Sequence, residues 1–163
     1  MSNKAVFLDR DGVLCKELGR YLADIEEFEI LPHVPHLLSL LKKKGYLLIM
    51  ISNQGAISRG KLTHEQVNEM HSRMQTELAK SNAQMDALYF CPHHPEIEAC
   101  ICRKPEPLMI QKAIASFDID TKGSIMIGDS PRDVDAAKRA GVKGFMIESN
   151  KNWQSIIDQL TDE

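Results

Sequence analysis

The chain has 163 residues, 43% of them hydrophobic and 26% charged, with a formal net charge of −3. This length suits a single domain with a substantial core, so we expect one domain over residues 1–163. The weak negative charge excludes any electrostatic argument for nucleic acid or an anionic membrane as a partner. No apolar run is long enough to span a membrane, and residues 1–4 lack the apolar region of a signal peptide, so we expect a cytoplasmic protein.

Strand and helix patterns alternate through the first half of the chain. In order, they predict a strand at Ala5–Leu8, a polar loop at 15–30 that lies over the end of this strand, a helix at Pro32–Lys44, a strand at Tyr46–Ile51 and a helix that begins at the capping box of Thr63 and Gln66. The apolar face of this last helix is formed by Val67, Met70, Met74 and Leu78. We expect that face to pack in the core rather than to bind a ligand.

The second half continues the alternation. In order, it predicts a strand at Ala87–Phe90, a loop at Cys91–Pro107, a helix at Leu108–Phe117, a strand at Ser124–Ile127, a helix capped by Ser130 and Pro131, a strand at Lys143–Ile147 and a helix at Trp153–Leu160. Five strands that alternate with helices predict an α/β fold with a mainly parallel sheet and right-handed crossovers.

Polar side chains follow three of the predicted strands, at the point where each strand ends. Asp9 and Asp11 follow the first, Ser52 follows the second and Asp129 follows the fourth. Because parallel strands end at the same edge of a sheet, these residues should converge. Asp9 and Asp129, with the main-chain carbonyl of Asp11, can then hold Mg²⁺, and Lys104 would add a positive charge. The alternative is that the first stretch is only a solvated turn.

These groups supply what phosphoryl transfer requires. Asp9 can attack phosphorus and form an aspartyl-phosphate, and Asp11 can protonate the leaving group and then activate water. Ser52, Lys104 and Mg²⁺ would bind the transferring phosphoryl group. Strand-like alternation directs Arg10 away from the site, so it is given no catalytic role.

Four short motifs in this order resemble those of haloacid dehalogenase (HAD) superfamily phosphatases over nearly the whole chain: Phe7–Gly12, Ile51–Asn53, Arg103–Pro105 and Gly128–Asp133. The resemblance implies a three-layer, Rossmann-like, HAD-like sheet and the same roles for Asp9, Asp11, Ser52, Lys104 and the metal ligand Asp129. It also implies a supporting role for Asp133 near the metal. Alternatively, Asp133 is only an acidic residue that the helix dipole favours.

The loop at 91–104 contains Cys91, Cys100 and Cys102, with His93 and His94 between them. Three thiolates and one imidazole make a closed, structural zinc set, and either histidine can complete it; the alternative is free thiols. The family resemblance favours His93. A zinc-fixed loop would place Arg103 and Lys104 over the active-site edge. Cys15 lies far off in sequence and is interpreted as an ordinary loop residue.

The cysteine loop is similar to that of a subgroup without a large cap domain, which holds the heptose bisphosphate phosphatases and the histidinol-phosphatase domain. The stretch Asn53–Gly60 resembles the former, and Ile147–Trp153 resembles the tail of the latter. We therefore expect removal of the 7-phosphate of D-glycero-D-manno-heptose 1,7-bisphosphate, with histidinol phosphate or another small sugar phosphate as the alternative.

The candidate substrate-binding residues are Asn53, Gln54, Arg59 and Arg103, although Arg59 can also be a solvated arginine. The expected partner is a small phosphorylated metabolite. A capless domain is compatible with a monomer. A rival from another class is a zinc-loop binding module on an inactive scaffold, and the complete set of acidic residues argues against it.

Overall fold

The computed structural model describes residues 2–160 of the protein. Its strands are β1 (Ala5–Leu8), β2 (Leu47–Asn53), β3 (Ala87–Cys91), β4 (Ile125–Gly128) and β5 (Lys143–Met146). Its α-helices are α1 (Val34–Lys43), α2 (His64–Ala79), α3 (Leu108–Phe117), α4 (Pro131–Arg139) and α5 (Gln154–Leu160). None of the helices within residues 2–160 combines the length and the apolar character that a bilayer crossing needs.

The five strands form one sheet in the order β3-β2-β1-β4-β5, and every neighbouring pair is parallel. The predicted α/β class and parallel sheet are therefore confirmed. β1 lies in the centre, where Phe7 pairs with Ile49 of β2 and with Met126 of β4. A strand covered on both faces needs an uninterrupted apolar sequence, and β1 is fully buried.

Successive residues of β1 face opposite layers of helices. Ala5 and Phe7 belong to a core cluster that includes residues of α3 and α4. Val6 and Leu8 belong to a second cluster that includes residues of α1, α2 and α5. The protein thus has three layers, as predicted, and the residues described insert no large cap domain between the motifs.

The predicted ends of several elements differ from the observed ends by one or two residues. β2 extends through Ser52 and Asn53, which were expected in the loop, because both residues pair with β3. Cys91 ends β3 and is not part of the following loop. α1 begins two residues later than predicted, after His33 at its N-cap. Ser52 and Cys91 consequently sit on strand backbone, which holds them more firmly than a loop would.

The segment predicted as a loop at 15–30 contains a short 3₁₀ helix, Ile25–Glu27. Asp24 caps it, and the side chain of Glu27 bonds back to the Asp24 backbone. An isolated bridge between Cys15 and Ile30 joins the two ends of the segment. The segment therefore folds back on itself beside the carboxyl edge of the sheet.

Candidate active site and metal centres

Three carboxylates meet at the carboxyl edge of the sheet. Asp9 follows β1, Asp129 follows β4 and Asp133 lies in the first turn of α4, and one oxygen from each lies within 4.8 Å of the others. Negative charges this close repel one another unless a cation is shared. Hard carboxylate oxygens are the donors that Mg²⁺ prefers, so the set fits that ion. The predicted meeting of Asp9 and Asp129 is observed.

Lys104 is buried among these acids, with only 2% of its side chain exposed. Its Nζ donates to Asp9 Oδ1 at 2.9 Å, to the carbonyl of Ile51 at 2.7 Å and to Asp133 Oδ1 at 2.6 Å. Burial alone would lower the pKa of Lys104, but the attraction of Asp9 and Asp133 outweighs it and raises the pKa. The side chain is therefore a fixed positive charge within the acidic cluster.

Asp133 contacts both Lys104 and the backbone at the start of α4. One oxygen accepts from Lys104, and the other accepts from the backbone N–H groups of Asp129 and Ser130 at 3.1 Å each, which completes the capping box of α4. A Cβ at Gly128 would lie 2.2 Å from the Cβ of Asp133. Only glycine at 128 allows the helix and the strand to approach closely enough for these contacts.

The electrostatic state of Asp9 depends on its neighbours. Burial raises the pKa of Asp9 to about 8, with Asp133 and Asp11 acting in the same direction and Lys104 opposing them. A cation at this edge would favour the carboxylate form, which is the nucleophilic one. The acidic cluster and a bound cation thus support each other.

The carboxylate of Asp11 is held by donors on both oxygens. Oδ1 accepts from Arg10 Nε at 3.1 Å, from Arg10 Nη2 at 2.9 Å and from Cys15 Sγ at 3.3 Å, and Oδ2 accepts from Gln54 Nε2 at 3.0 Å. Burial opposes ionisation, but Arg10 and the hydrogen bonds outweigh it and lower the pKa of Asp11. The expectations that Arg10 points away and that Cys15 is an ordinary loop residue were wrong.

The side chains of Asn53 and Gln54 form hydrogen bonds with other residues of the site. Gln54 Nε2 donates to Ser52 Oγ at 2.7 Å as well as to Asp11. The Asn53 side chain accepts from the Lys104 backbone N–H at 2.9 Å and donates to the Lys104 carbonyl at 3.1 Å. Both side chains also line the cleft described next. Their contacts indicate that they position Ser52, Asp11 and Lys104.

A cleft of about 650 Å³ opens over the acidic cluster. Its lining includes seven cationic residues: Arg10, Lys16, Arg20, Arg59, Arg103, Lys104 and Arg132. Arg59 is paired with Glu96 at 2.6 Å, and Arg103 Nη1 donates to the carbonyl of His93 at 3.1 Å. One wall is the segment 16–22, part of the loop expected over the strand end but not among the predicted site residues.

The chain after β5 reaches back to the first motif. Ser149 Oγ donates to Asp129, and the Asn150 N–H donates to the Gly12 carbonyl at 2.8 Å. The Asn150 side chain bridges the N–H and the carbonyl of Glu17 at 2.7 and 3.0 Å. Gly12 has φ +88°, and a Cβ there would lie 2.1 Å from Asp129 Oδ2. The close approach of Asp129 explains the glycine at position 12. The hydrogen bonds of Asn150 tie the chain after β5 to Glu17.

Four sulfur and nitrogen donors cluster beside β3. Cys91, His93, Cys100 and Cys102 each place one donor atom within 4.8 Å of the others, and no disulfide links the cysteines. His93 Nδ1 lies 3.4 Å from both Cys91 Sγ and Cys102 Sγ, whereas His94 Nδ1 accepts from the Glu96 backbone. The geometry therefore places His93 in the cluster. Soft S₃N donors fit Zn²⁺.

The chain is similar to known hydrolases over nearly its whole length. A HAD-hydrolase-like family model matches residues 101–161. A D-glycero-beta-D-manno-heptose-1,7-bisphosphate 7-phosphatase of Haemophilus influenzae is 40% identical, over 98% of this chain and 92% of that protein. The chain belongs to the HAD-like hydrolase family. The family predicted from the four motifs is therefore confirmed.

Other members of the HAD-like hydrolase family agree with this assignment. The enzyme of the same name from Haemophilus ducreyi is 40% identical, over 99% of this chain and 97% of that one. The solved D,D-heptose 1,7-bisphosphate phosphatase of B. bronchiseptica, complexed with magnesium and phosphate, has a TM-score of 0.84 and 30% identity. The match covers 96% of this chain and 86% of that one.

Proposed function

We propose that this HAD-like hydrolase is a Mg²⁺-dependent phosphomonoester hydrolase that acts through an aspartyl-phosphate on Asp9. We propose D-glycero-D-manno-heptose 1,7-bisphosphate as its substrate, with the 7-phosphate as the group removed. The observation that carries the proposal is the buried contact of Lys104 with Asp9 and Asp133 at the floor of a cationic cleft. Two relatives at 40% identity that bear this name support the choice of substrate.

The first half-reaction transfers the phosphoryl group to the enzyme. A carboxylate oxygen of Asp9 bonds to phosphorus, and the bond from phosphorus to the sugar oxygen breaks. Asp11, in its protonated form, gives its proton to that leaving oxygen. Ser52 and Lys104 orient the transferring group beside Asp9, and Asn53 fixes the Lys104 backbone.

The second half-reaction restores Asp9. Asp11 is now a base that takes a proton from water as the water oxygen bonds to phosphorus. The donors from Arg10 and Gln54 favour this deprotonated form. Asp9 and Asp129, with the main-chain carbonyl of Asp11, would hold Mg²⁺ in both steps. When bound, the ion neutralises charge on the phosphoryl oxygens.

The cations of the cleft fit a substrate with a second phosphate. We propose that Arg59 and Arg103 bind the retained phosphate, because guanidinium groups match phosphate oxygens geometrically. Histidinol phosphate offers one phosphate and a cationic end, which these arginines would repel. We therefore favour the sugar bisphosphate.

We further propose that Cys91, His93, Cys100 and Cys102 hold a structural Zn²⁺, because four protein donors leave no open position for water. Thiol ligands remain reduced in the cytoplasm, where we place the reaction. We also propose a single-domain monomer, which light scattering of the purified protein tests.

The test measures phosphate release from heptose 1,7-bisphosphate, fructose bisphosphate and histidinol phosphate side by side, with Mg²⁺. We expect the highest kcat/KM for the heptose. Asp9→Asn should abolish turnover without unfolding the protein, whereas Asp135→Asn, an exposed position on α4, should leave it unchanged. Normal turnover by Asp9→Asn would refute the mechanism. A preference for histidinol phosphate would refute the substrate assignment alone.

A further inference from the structure

His71 is a buried imidazole that neither the sequence motifs nor the reaction above accounts for. It lies on α2 with 4% of its surface exposed, and its ring meets Phe90 edge-on at 5.4 Å. Its Nε2 lies 3.4 Å from Nη1 of Arg10. Because a guanidinium has no acceptor, the imidazole must accept through Nε2. Burial and then the charge of Arg10 lower the pKa of His71 to about 4, which keeps it neutral.

Arg10 is surrounded on every side of its guanidinium. Nε and Nη2 donate to Asp11, while Nη1 faces His71 and lies 3.9 Å from the sulfur of Met70. The ring of Phe28 lies 5.5 Å from the guanidinium carbon. Only 3% of the Arg10 side chain is exposed. An arginine enclosed in this way holds one position, so the carboxylate it binds is also held in one position.

We propose that Arg10 and His71 are positioning residues that hold Asp11 as the base of the second half-reaction; this inference rests on the proposed function. Asp11 accepts on both oxygens, an arrangement suited to the deprotonated carboxylate. In that half-reaction the water oxygen bonds to phosphorus and the bond from phosphorus to Asp9 breaks. Its electron pair returns to the Asp9 carboxylate, the proton of water goes to Asp11, and phosphate leaves.

His71→Leu removes the imidazole acceptor of Arg10 Nη1 and leaves that donor with the distant sulfur of Met70, a weak acceptor, which frees Arg10 and Asp11 to move. With 4-nitrophenyl phosphate, formation of the aspartyl-phosphate hardly changes, because nitrophenolate leaves without a proton. Hydrolysis of the intermediate slows, so kcat and KM should fall together by roughly tenfold while kcat/KM stays within about twofold. Stopped flow should show a burst of about one nitrophenolate for each active site.

His71→Gln keeps a side-chain acceptor and should restore most of kcat, and His64→Leu, at an exposed position of the same helix, should match the wild type. If His71→Leu does not fold, His71→Met, whose unbranched side chain adapts better to the space, replaces it in the comparison. A fall in kcat/KM equal to the fall in kcat, without a burst, would show that His71 only stabilises the fold. A wild-type protein that cleaves no ester would refute the proposed function first.

Discussion

At the scale of single residues, Lys104 determines the charge balance of the site. Its ammonium group is buried against two carboxylates and a carbonyl, so all three of its protons are used inside the protein. A buried charge pair gains little net free energy, but removing one partner leaves the other uncompensated. The effect of mutation should therefore be large for both activity and stability.

Lys104→Met keeps the length of the side chain and removes its charge. We expect kcat to fall by at least about a hundredfold, since the phosphoryl group loses its nearest cation. We expect the free energy of unfolding to fall by about 3 kcal/mol, since Asp9 and Asp133 remain buried without it. Urea unfolding and phosphate release measure the two effects. Lys112→Met, exposed on α3, is the control, and unchanged stability of Lys104→Met would contradict the charge argument.

Single residues also show which contacts the sequence patterns did not predict. The motif residues Asp9, Asp129 and Lys104 were predicted to converge because each follows a strand or adjoins the zinc loop. The contact of Arg10 with Asp11 was not predicted. Alternation assumes an extended strand, whereas the backbone turns directly after β1 and the carbonyl of Arg10 accepts three backbone N–H groups. Side-chain direction in a loop depends on such turns.

At the scale of elements, the sequence patterns predicted the strands β1–β5 and the α-helices α1–α5, but not the 3₁₀ helix Ile25–Glu27, and the ends were less accurate. β2 extends beyond its apolar residues because β3 pairs with Ser52 and Asn53. Local sequence does not show which strand will pair with another, so this extension was not predicted. A loop over the strand end was predicted at 15–30, but its residues 16–22 were not named as part of the site, for a related reason. Its polar sequence has no period, and Asn150, more than 130 residues away, fixes its backbone.

Asn150 gives a direct test of that wall. It has φ +69°, so Asn150→Gly keeps the backbone conformation and removes only the two bonds to Glu17. We expect KM for the sugar bisphosphate to rise about three- to tenfold, with kcat within about twofold, because loss of about 1 kcal/mol of positioning weakens binding alone.

The matched control is Asn82→Gly, which has φ +52° in the exposed turn after α2 and is far from the cleft in the fold. It should leave both kinetic constants unchanged. Equal kinetics for Asn150→Gly and the wild type would show that the wall keeps its position without the tail.

At the scale of the whole molecule, the loop at 91–104, which carries the proposed zinc ligands, connects the sheet to the cleft. Cys91 ends β3, while Cys102 directly precedes Arg103 and Lys104. The sequence predicted three cysteine ligands and one histidine ligand. It did not decide between His93 and His94, because both lie close to the cysteines along the chain. Three-dimensional contacts distinguish them: His93 faces the thiols and His94 bonds the Glu96 backbone.

Removal of zinc should therefore lower phosphatase activity, although none of the proposed catalytic residues is a zinc ligand. Metal analysis of protein purified without chelators should find about one zinc per chain. After treatment with a zinc-selective chelator, excess Mg²⁺ alone should leave activity low, because Arg103 and Lys104 are no longer held by Cys102; added Zn²⁺ should restore activity. The temperature of thermal unfolding should fall by several degrees, since the ion binds only the folded loop.

Cys100→Ser should reproduce both the loss of activity and the lower unfolding temperature, with Ser155→Ala on α5 as the surface control. Full activity of zinc-free protein with Mg²⁺ would mean that strand β3 and the contacts of Asn53 with Lys104 suffice to hold the loop.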